Sequence, residues 1–237
     1  MSLYDKAIKQ LSQLEPVFGF NPALVQQGTQ EWHVLRLGCL TASKADKIVA
    51  GKDTDGRATY MAELISAIVN CAADEDSGFK QTEWGKQYED AARDSLSVAL
   101  GFVEIKQVPL MYMDDLMRVA VSPDGVYGNT IVELKCPYDG THHIKHMAFT
   151  AVKKEWQWQR QFQLFGTGAE RHVFATYDPR VILSRNLHYT ETVADEKMQA
   201  TLRDAVPQFI DDLDSALAKL GVEFGQHWKY LKDNRSN

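Results

Sequence analysis

The sequence predicts an α/β (α+β) protein in which a central mixed β-sheet is flanked by helices. Three observations carry that prediction. Up to Leu100 the apolar residues recur at helical spacing; from Phe102 they alternate, with tight turns between the runs; and a helical stretch at 153–165 intervenes before two further strands.

Taken in order, Leu3, Ala7, Ile8, Leu11 and Leu14 mark a short surface helix, after which Pro16, Gly19 and Pro22 punctuate the entry to the main fold. Residues 41–50 read as a helix opened by a hydroxyl cap and stopped by Gly51, and 57–71 and 82–100 as two more. Val103, Ile105, Val108, Leu110 and Tyr112 then alternate imperfectly, with Pro109 marking a bulge or an edge. Short runs at 118–121, 126–127 and 130–136 are separated by Pro123-Asp124-Gly125 and Gly128-Asn129, which predicts a largely antiparallel meander. Strands at 171–177 and 186–192 follow the 153–165 helix. A last helix carries Leu202, Val206, Phe209, Ile210, Leu213, Leu217 and Leu220.

With 237 residues and 44% hydrophobic content, the chain is large enough to bury roughly 70% of its unfolded surface around one core. Residues 23–237 are therefore expected to form a single domain and 1–22 a helical extension, since neither a repeat nor a Gly/Ser/Pro linker divides them. The bulk is not disordered. No apolar run approaches bilayer length, and Asp5, Lys6, Lys9 and Glu15 stand where a secretory signal needs apolar residues, so a soluble cytoplasmic protein without membrane partners is expected. Cys39, Cys71 and Cys136 lack any CxxC spacing and predict free thiols. A net charge of −6 argues against coating nucleic acid through bulk charge, while leaving room for a basic groove.

The chemistry concentrates between Val121 and Lys135. On a strand, Ile131, Glu133 and Lys135 share one face and Val132 and Leu134 the other, so an apolar strand sets a carboxylate beside an ammonium. Such charges must face solvent or find strong partners. Asp124, at the preceding turn, is within hairpin reach of Glu133. Two hard oxygen ligands and a lysine are what phosphodiester hydrolysis asks for, because they hold Mg²⁺ while leaving positions for water and phosphate. The bland reading remains open here: Pro-Asp-Gly is a common turn, and Glu-x-Lys is commonly a solvated pair worth at most about 1 kcal/mol.

Longer strings narrow the choice. Trp32-His-x-Leu-Arg36-Leu-Gly-x-x-Thr-Ala-Ser43, Trp84-Gly-Lys-Gln-Tyr88-Glu89, Ser122-Pro-Asp124-Gly, Glu133-Leu-Lys135-Cys-Pro, Gln159-x-Gln161 and Tyr177-Asp-Pro-Arg180 stand in this order. From about Leu24 to Trp228 the chain thereby resembles phage lambda exonuclease and its relatives, the YqaJ-like viral recombinases within the restriction-endonuclease-like PD-(D/E)XK nucleases. The resemblance implies a Mg²⁺-dependent exonuclease, with Mn²⁺ as a substitute, that degrades one strand of linear duplex DNA from its 5′ end and leaves a 3′ single strand for recombination. It also implies a ring of three subunits and a single-strand annealing partner.

By this resemblance Asp124, Glu133 and the Leu134 carbonyl ligate the metal, Glu89 supports them, and Lys135 activates or positions water. Glu89 also lies one turn before Arg93, where its alternative role is a surface ion pair. A stripe of Trp84, Tyr88, Ala91 and Ser95 is expected to dock that helix and leave Glu89 at its border. Arg36 and Ser43 stand near an expected helix start, where free N–H groups favour an anion, and the family-implied use of Arg36, Ser43, Ser122 and Gln159 is a 5′-phosphate pocket. Ser43 as a plain cap or a residue of the first helical turn is compatible with that. On one helix, Trp156, Gln159, Arg160 and Gln163 share a face and Gln157, Gln161 and Leu164 another; Gln159 and Gln161 are expected at the terminal phosphate or scissile nucleotide.

His142, His143 and His146 lack the companions of a zinc site and, with Lys145, Lys153 and Lys154, are expected to form a polar loop or helix brushing DNA phosphates. No P-loop is present, so no ATP-driven motor is indicated. Two rivals remain: an endonuclease on the same fold, and a non-catalytic DNA-binding protein.

Overall fold

In the computed structural model, which describes residues 1–72, 80–182 and 184–234, the chain builds two small sheets joined at Asp124. Three short helices open it: α1 (Leu3–Ser12), α2 (Glu15–Phe18) and α3 (Gln30–Leu35). A capping box between Ser2 and Asp5 starts α1, and Leu3, Ala7 and Leu11 form its buried stripe. Strand β1 (Leu40–Thr41) and helices α4 (Ala45–Ile48), α5 (Asp55–Asn70) and α6 (Lys80–Ala99) follow. Strands β2 (Met111–Tyr112), β3 (Val119–Val121), β4 (Gly125–Tyr127) and β5 (Thr130–Lys135) come next. Helices α7 (Thr141–Phe149) and α8 (Lys154–Thr167), strands β6 (Arg171–Tyr177) and β7 (Leu187–Thr192), and helices α9 (Glu196–Lys219) and α10 (Gln226–Asn234) complete the chain. The expected domain end at 235–237 lies outside the described residues.

The mixed α/β architecture matches the expectation, with three local corrections. First, the meander is split: β3 pairs with β1 (parallel) and β2 (antiparallel), whereas β4, β5, β6 and β7 form a second sheet in that order. Pro123 and Asp124 occupy the step between the sheets. Second, the strand expected through 103–112 is reduced to Met111–Tyr112 plus a bridge from Lys106 to Val126; Pro109, lacking an N–H, interrupts the ladder. Third, the helix expected over 41–50 starts later, because Leu40 and Thr41 pair with Val119 and Ala120 before a single 3₁₀ turn, Ala42–Lys44, leads into α4. Ser43 is therefore not a helix cap but a residue of the turn that leads into α4.

In the larger sheet β5 and β6 run parallel, Glu133 beside Phe174 and Lys135 beside Thr176, with α7 and α8 as the crossover. One face, Val132, Leu134, Val173 and Ala175, packs on Ala92 and Leu96 of α6. The buried stripe of α6 is thus Tyr88–Ala92–Leu96 rather than Ala91 and Ser95: Ala91 is exposed, since a four-residue step keeps in line with the sheet. The opposite face carries Glu133 and Phe174 under α7 and α8. Helix α9 closes the smaller sheet with Leu202, Val206, Phe209, Leu213 and Leu217, each contributing roughly 1.5–3 kcal/mol of burial. Among the described residues no helix is long and apolar enough to cross a membrane.

Candidate active site

The step between the sheets sets Asp124 against the end of β5. Gly125 follows it because a Cβ there would run into Ile105. Asp124 Oδ2 accepts a 2.6 Å hydrogen bond from the Leu134 amide, so the carboxylate is fixed beside the backbone between Glu133 and Lys135. Strand alternation then places Glu133 and Lys135 on one face, with Lys135 Nζ 2.5 Å from Glu133 Oε1.

Glu133 is 2% exposed, and its partners explain how a buried carboxylate is tolerated. Gln159 Nε2 donates to Oε1 and Gln163 Nε2 to Oε2, both at 2.6 Å. The Gln163 carbonyl in turn accepts from His172 Nε2 at 2.6 Å. Gln163 had no role at the sequence level, although its four-residue offset from Gln159 on one helical face was the available signal.

Glu89 reaches the same region from α6. It pairs with Arg93 at 2.5 Å, as the simple ion-pair reading expects, yet Arg93 is buried and its Nε also donates to the Asp124 carbonyl at 3.3 Å. Arg93 therefore ties Glu89 to Asp124, a connection that sequence spacing did not reveal. The loop after Lys135 is clamped as well. Asp178 accepts from Arg180 Nε and Nη2 at 2.8 Å, Arg180 Nη2 donates to the Tyr138 carbonyl at 3.0 Å, and the guanidinium lies 4.5 Å from the Trp84 ring centroid.

Crowded carboxylates perturb one another. Burial, then the charge of Glu133, pushes Asp124 well above the ordinary carboxylate range, and Lys135 and the Leu134 amide offset this only in part. Burial likewise raises Glu89 against the opposing pull of Arg93. For Lys135 burial opposes the ammonium, but Glu133 and Asp124 outweigh it and hold the pKa above the usual lysine value. Asp124, Lys135, Glu89 and Leu134 line a cavity of about 430 Å³, together with Lys153 and Trp156.

Other expected site residues fall elsewhere. Arg36 and Ser43 do line one cavity, of about 380 Å³, with the guanidinium 4.1 Å from the Trp32 ring centroid; it has no lining residue in common with the Asp124 cavity. Ser122 and Gln159 line neither: Ser122 sits two residues before Asp124, and Gln159 is bound to Glu133. The Gln161 amide is committed to Val193, Asp195 and Gln199, at 2.9 to 3.0 Å, and is not brought to Glu133. His143 and His146 correct the expectation of a phosphate-brushing surface: both are fully buried, with each Nδ1 2.9 Å from Thr176 Oγ1, because the inner face of α7 packs on β6 and β7. Only His142 and Lys153 of that set line the Asp124 cavity. Among the described residues no group of three or more His, Cys, Asp or Glu converges as a ready-made metal cage. All three cysteines are free.

A mixed sheet that gathers an aspartate, a glutamate and a lysine at the end of its strand β5 defines a restriction-endonuclease-like protein. The chain belongs to the family of the YqaJ-like viral recombinase domain, which residues 31–170 match. It is 37% identical over 81 residues to the putative uncharacterized protein ExoD of Escherichia coli (strain K12), covering 34% of this chain and 92% of that one. Among solved structures it resembles an alkaline exonuclease from Laribacter hongkongensis, with a TM-score of 0.73 and 27% identity over 81% of this chain and 96% of the other. That enzyme is also known in complex with dAMP. A phage-related exonuclease from Haemophilus somnus 129PT, at 14% identity and TM-score 0.64 over 77% of this chain and 96% of that one, shares the fold.

Proposed function

We propose that this protein is a Mg²⁺-dependent exonuclease that hydrolyses linear double-stranded DNA from 5′-phosphorylated ends, releasing 5′-mononucleotides and leaving a 3′ single strand for recombination by annealing. The observation that carries the reading is the meeting of Asp124, Glu133 and Lys135 at one strand end. Membership of a recombinase family and likeness to an alkaline exonuclease support it.

The donor set fits a hard divalent cation. Asp124, Glu133 and the Leu134 carbonyl, supported by Glu89, would hold it, and an Asp124 that burial and neighbouring charge disfavour as an anion gains a counter-charge. When bound, Mg²⁺ supplies a water of lowered pKa and positive charge against the phosphate, with Mn²⁺ a substitute. Lys135, kept as ammonium by the carboxylates, orients the attacking water and offsets phosphate charge. Gln159 and Gln163 hold Glu133 in register, and Arg93 holds Glu89. Arg36 and Ser43 grip the 5′-phosphate, Arg36 by its fork of donors. Ser122 and Gln159 line neither cavity, so the 5′-phosphate contact expected of them is not part of this reading, and Gln159 acts by holding Glu133. Gln161, spent on the connection to α9, takes no part.

In this reading residues 23–237 are the nuclease domain and 1–22 its extension, and the protein works in the cytoplasm as a ring of three subunits with a single-strand annealing partner. An acidic total charge is compatible with a ring, because a narrow channel focuses the field of its own lining. The deciding experiment is a time course on 5′-end-labelled linear duplex beside covalently closed circular DNA. Release of label in Mg²⁺, none in chelator, and an intact circle are expected. Cutting of the circle would establish an endonuclease instead, and inert linear DNA in Mg²⁺ would overturn catalysis altogether.

A further inference from the structure

Helix α1 precedes the residues that match the family, yet it is firmly built into the body. The Leu3 amide donates to the Gly128 carbonyl at 2.9 Å, and the Gln10 side chain exchanges hydrogen bonds of 3.1 and 3.0 Å with the Tyr112 backbone. With Leu3, Ala7 and Leu11 turned inward, the next face of the helix contributes Tyr4 and Ile8 to a groove of about 680 Å³. Its other walls include Leu24, Trp32 and Pro109. Lys86 and Glu89 line both this groove and the Asp124 cavity, so the two adjoin along α6. The groove is also mechanically coupled to the carboxylates: Gln27 on its wall donates to the Val108 and Pro123 carbonyls at 2.7 and 2.9 Å, and Pro123 immediately precedes Asp124.

We infer that this groove is a nucleobase subsite and that α1, through Tyr4 and Ile8, forms the wall against which the base of the nucleotide being hydrolysed rests. The inference builds on the nuclease reading above. A nucleobase has flat apolar faces and an edge of donors and acceptors. Tyr4, Ile8 and Pro109 match the faces, and the carboxamides of Gln26 and Gln107 match the edge. Positive charge for the attached sugar-phosphate comes from Lys86 on α6, on a wall it shares with Glu89 and Asp90, and the Tyr4 ring that meets the base is held by Lys106, whose Nζ lies 4.9 Å from its centroid. Because stacking on an aromatic ring tolerates any base, the subsite suits an enzyme that removes nucleotides without regard to sequence.

The test compares binding of dAMP and of deoxyribose 5-phosphate to the full chain by calorimetry, with kcat and KM on linear duplex measured alongside. In Tyr4→Ala the preference for dAMP over the base-free sugar phosphate should shrink about 10-fold and KM rise, while kcat and Tm hold and Tyr4→Phe behaves as the parent. A loss of packing alone would weaken both ligands equally. An unchanged preference in a folded Tyr4→Ala overturns the subsite. Should that variant fail to fold, Ile8→Ala and NMR shifts of the Tyr4 ring on adding dAMP to the parent decide, and silence in both rejects it. The two readings fail separately: a parent that binds dAMP here without hydrolysing DNA sinks the nuclease, and an active nuclease indifferent to Tyr4 and Ile8 sinks the subsite.

Discussion

Gln163 donates a 2.6 Å hydrogen bond to Glu133 while accepting one of 2.6 Å from His172, so one neutral amide links a buried carboxylate to a buried imidazole. The relay has a direction. His172 is pushed down to about 3, by burial first and by Arg160 and Lys135 next, and therefore stays neutral with its Nε2 proton committed to Gln163. That fixes the amide orientation and presents an N–H to Glu133.

Removing the relay should cost both stability and rate. Gln163→Leu keeps the volume but strands an acceptor on Glu133 and a donor on His172, each buried, at about 1–3 kcal/mol per unmet group. A lower urea midpoint together with a reduced kcat is expected. If both matched the parent, the relay would have no part in holding Glu133.

Lys135→Ala should abolish turnover while leaving DNA bound. The ammonium sits 2.5 Å from Glu133 and lines the cavity with Asp124, where a positioned proton-transfer or water-orienting group is worth about 10²–10⁴-fold. Single-turnover cleavage and filter binding separate the two effects. Near-normal cleavage would remove Lys135 from the chemistry.

How much of this was legible in the sequence follows from which contacts are local. Glu133 and Lys135 share a face by strand geometry, and a Pro-Asp-Gly turn sets Asp124 beside the strand, so the proximity of the three could be read from spacing, while their joint role rested on the longer matching strings. Gln159 with Gln163 was visible as a helical face, but its partner was not, because the register of α8 against β5 is decided by the whole crossover. The two-residue strand Leu40–Thr41 exists only through pairing with Val119 and Ala120, nearly 80 positions away, so local hydroxyl and apolar signals suggested a helix start instead. His143 and His146 were misplaced for a related reason: their three-residue spacing fits an inward face, yet polar composition reads as solvent until Thr176 and Thr190 supply acceptors and donors.

Arg36→Ala should erase the preference for a phosphorylated 5′ end. A charge-assisted bond to phosphate is worth about 1.5–3 kcal/mol, so the ratio of rates on phosphorylated and hydroxyl ends should fall by roughly 10- to 100-fold. Arg36→Lys should recover only part, because the planar fork and its stacking on Trp32 are lost. Equal ratios in parent and Arg36→Ala would reassign the cavity shared with Ser43.

Acid should destabilise the fold through its buried imidazoles. His146 and His227 are held down to about 4 and His172 to about 3, in each case chiefly by burial. An unfolded histidine titrates near 6.5, so below that pH the unfolded chain binds protons that the native one refuses. The contribution of neutral His227 is complete above pH 6.5 and is lost progressively as pH falls toward 4. Asp124 and Glu89, raised in the folded state, act in the opposite sense, so a single residue must be isolated by difference. His227→Gln retains a donor for the Leu37 carbonyl, which His227 Nε2 reaches at 3.0 Å, but cannot take up a proton. Between pH 6 and 4.5 the unfolding free energy of the parent should fall more steeply than that of His227→Gln, by about 1.4 kcal/mol per pH unit, one proton's worth. Urea titrations across that window provide the slopes, and parallel lines would show that His227 is not the neutral, buried donor described above.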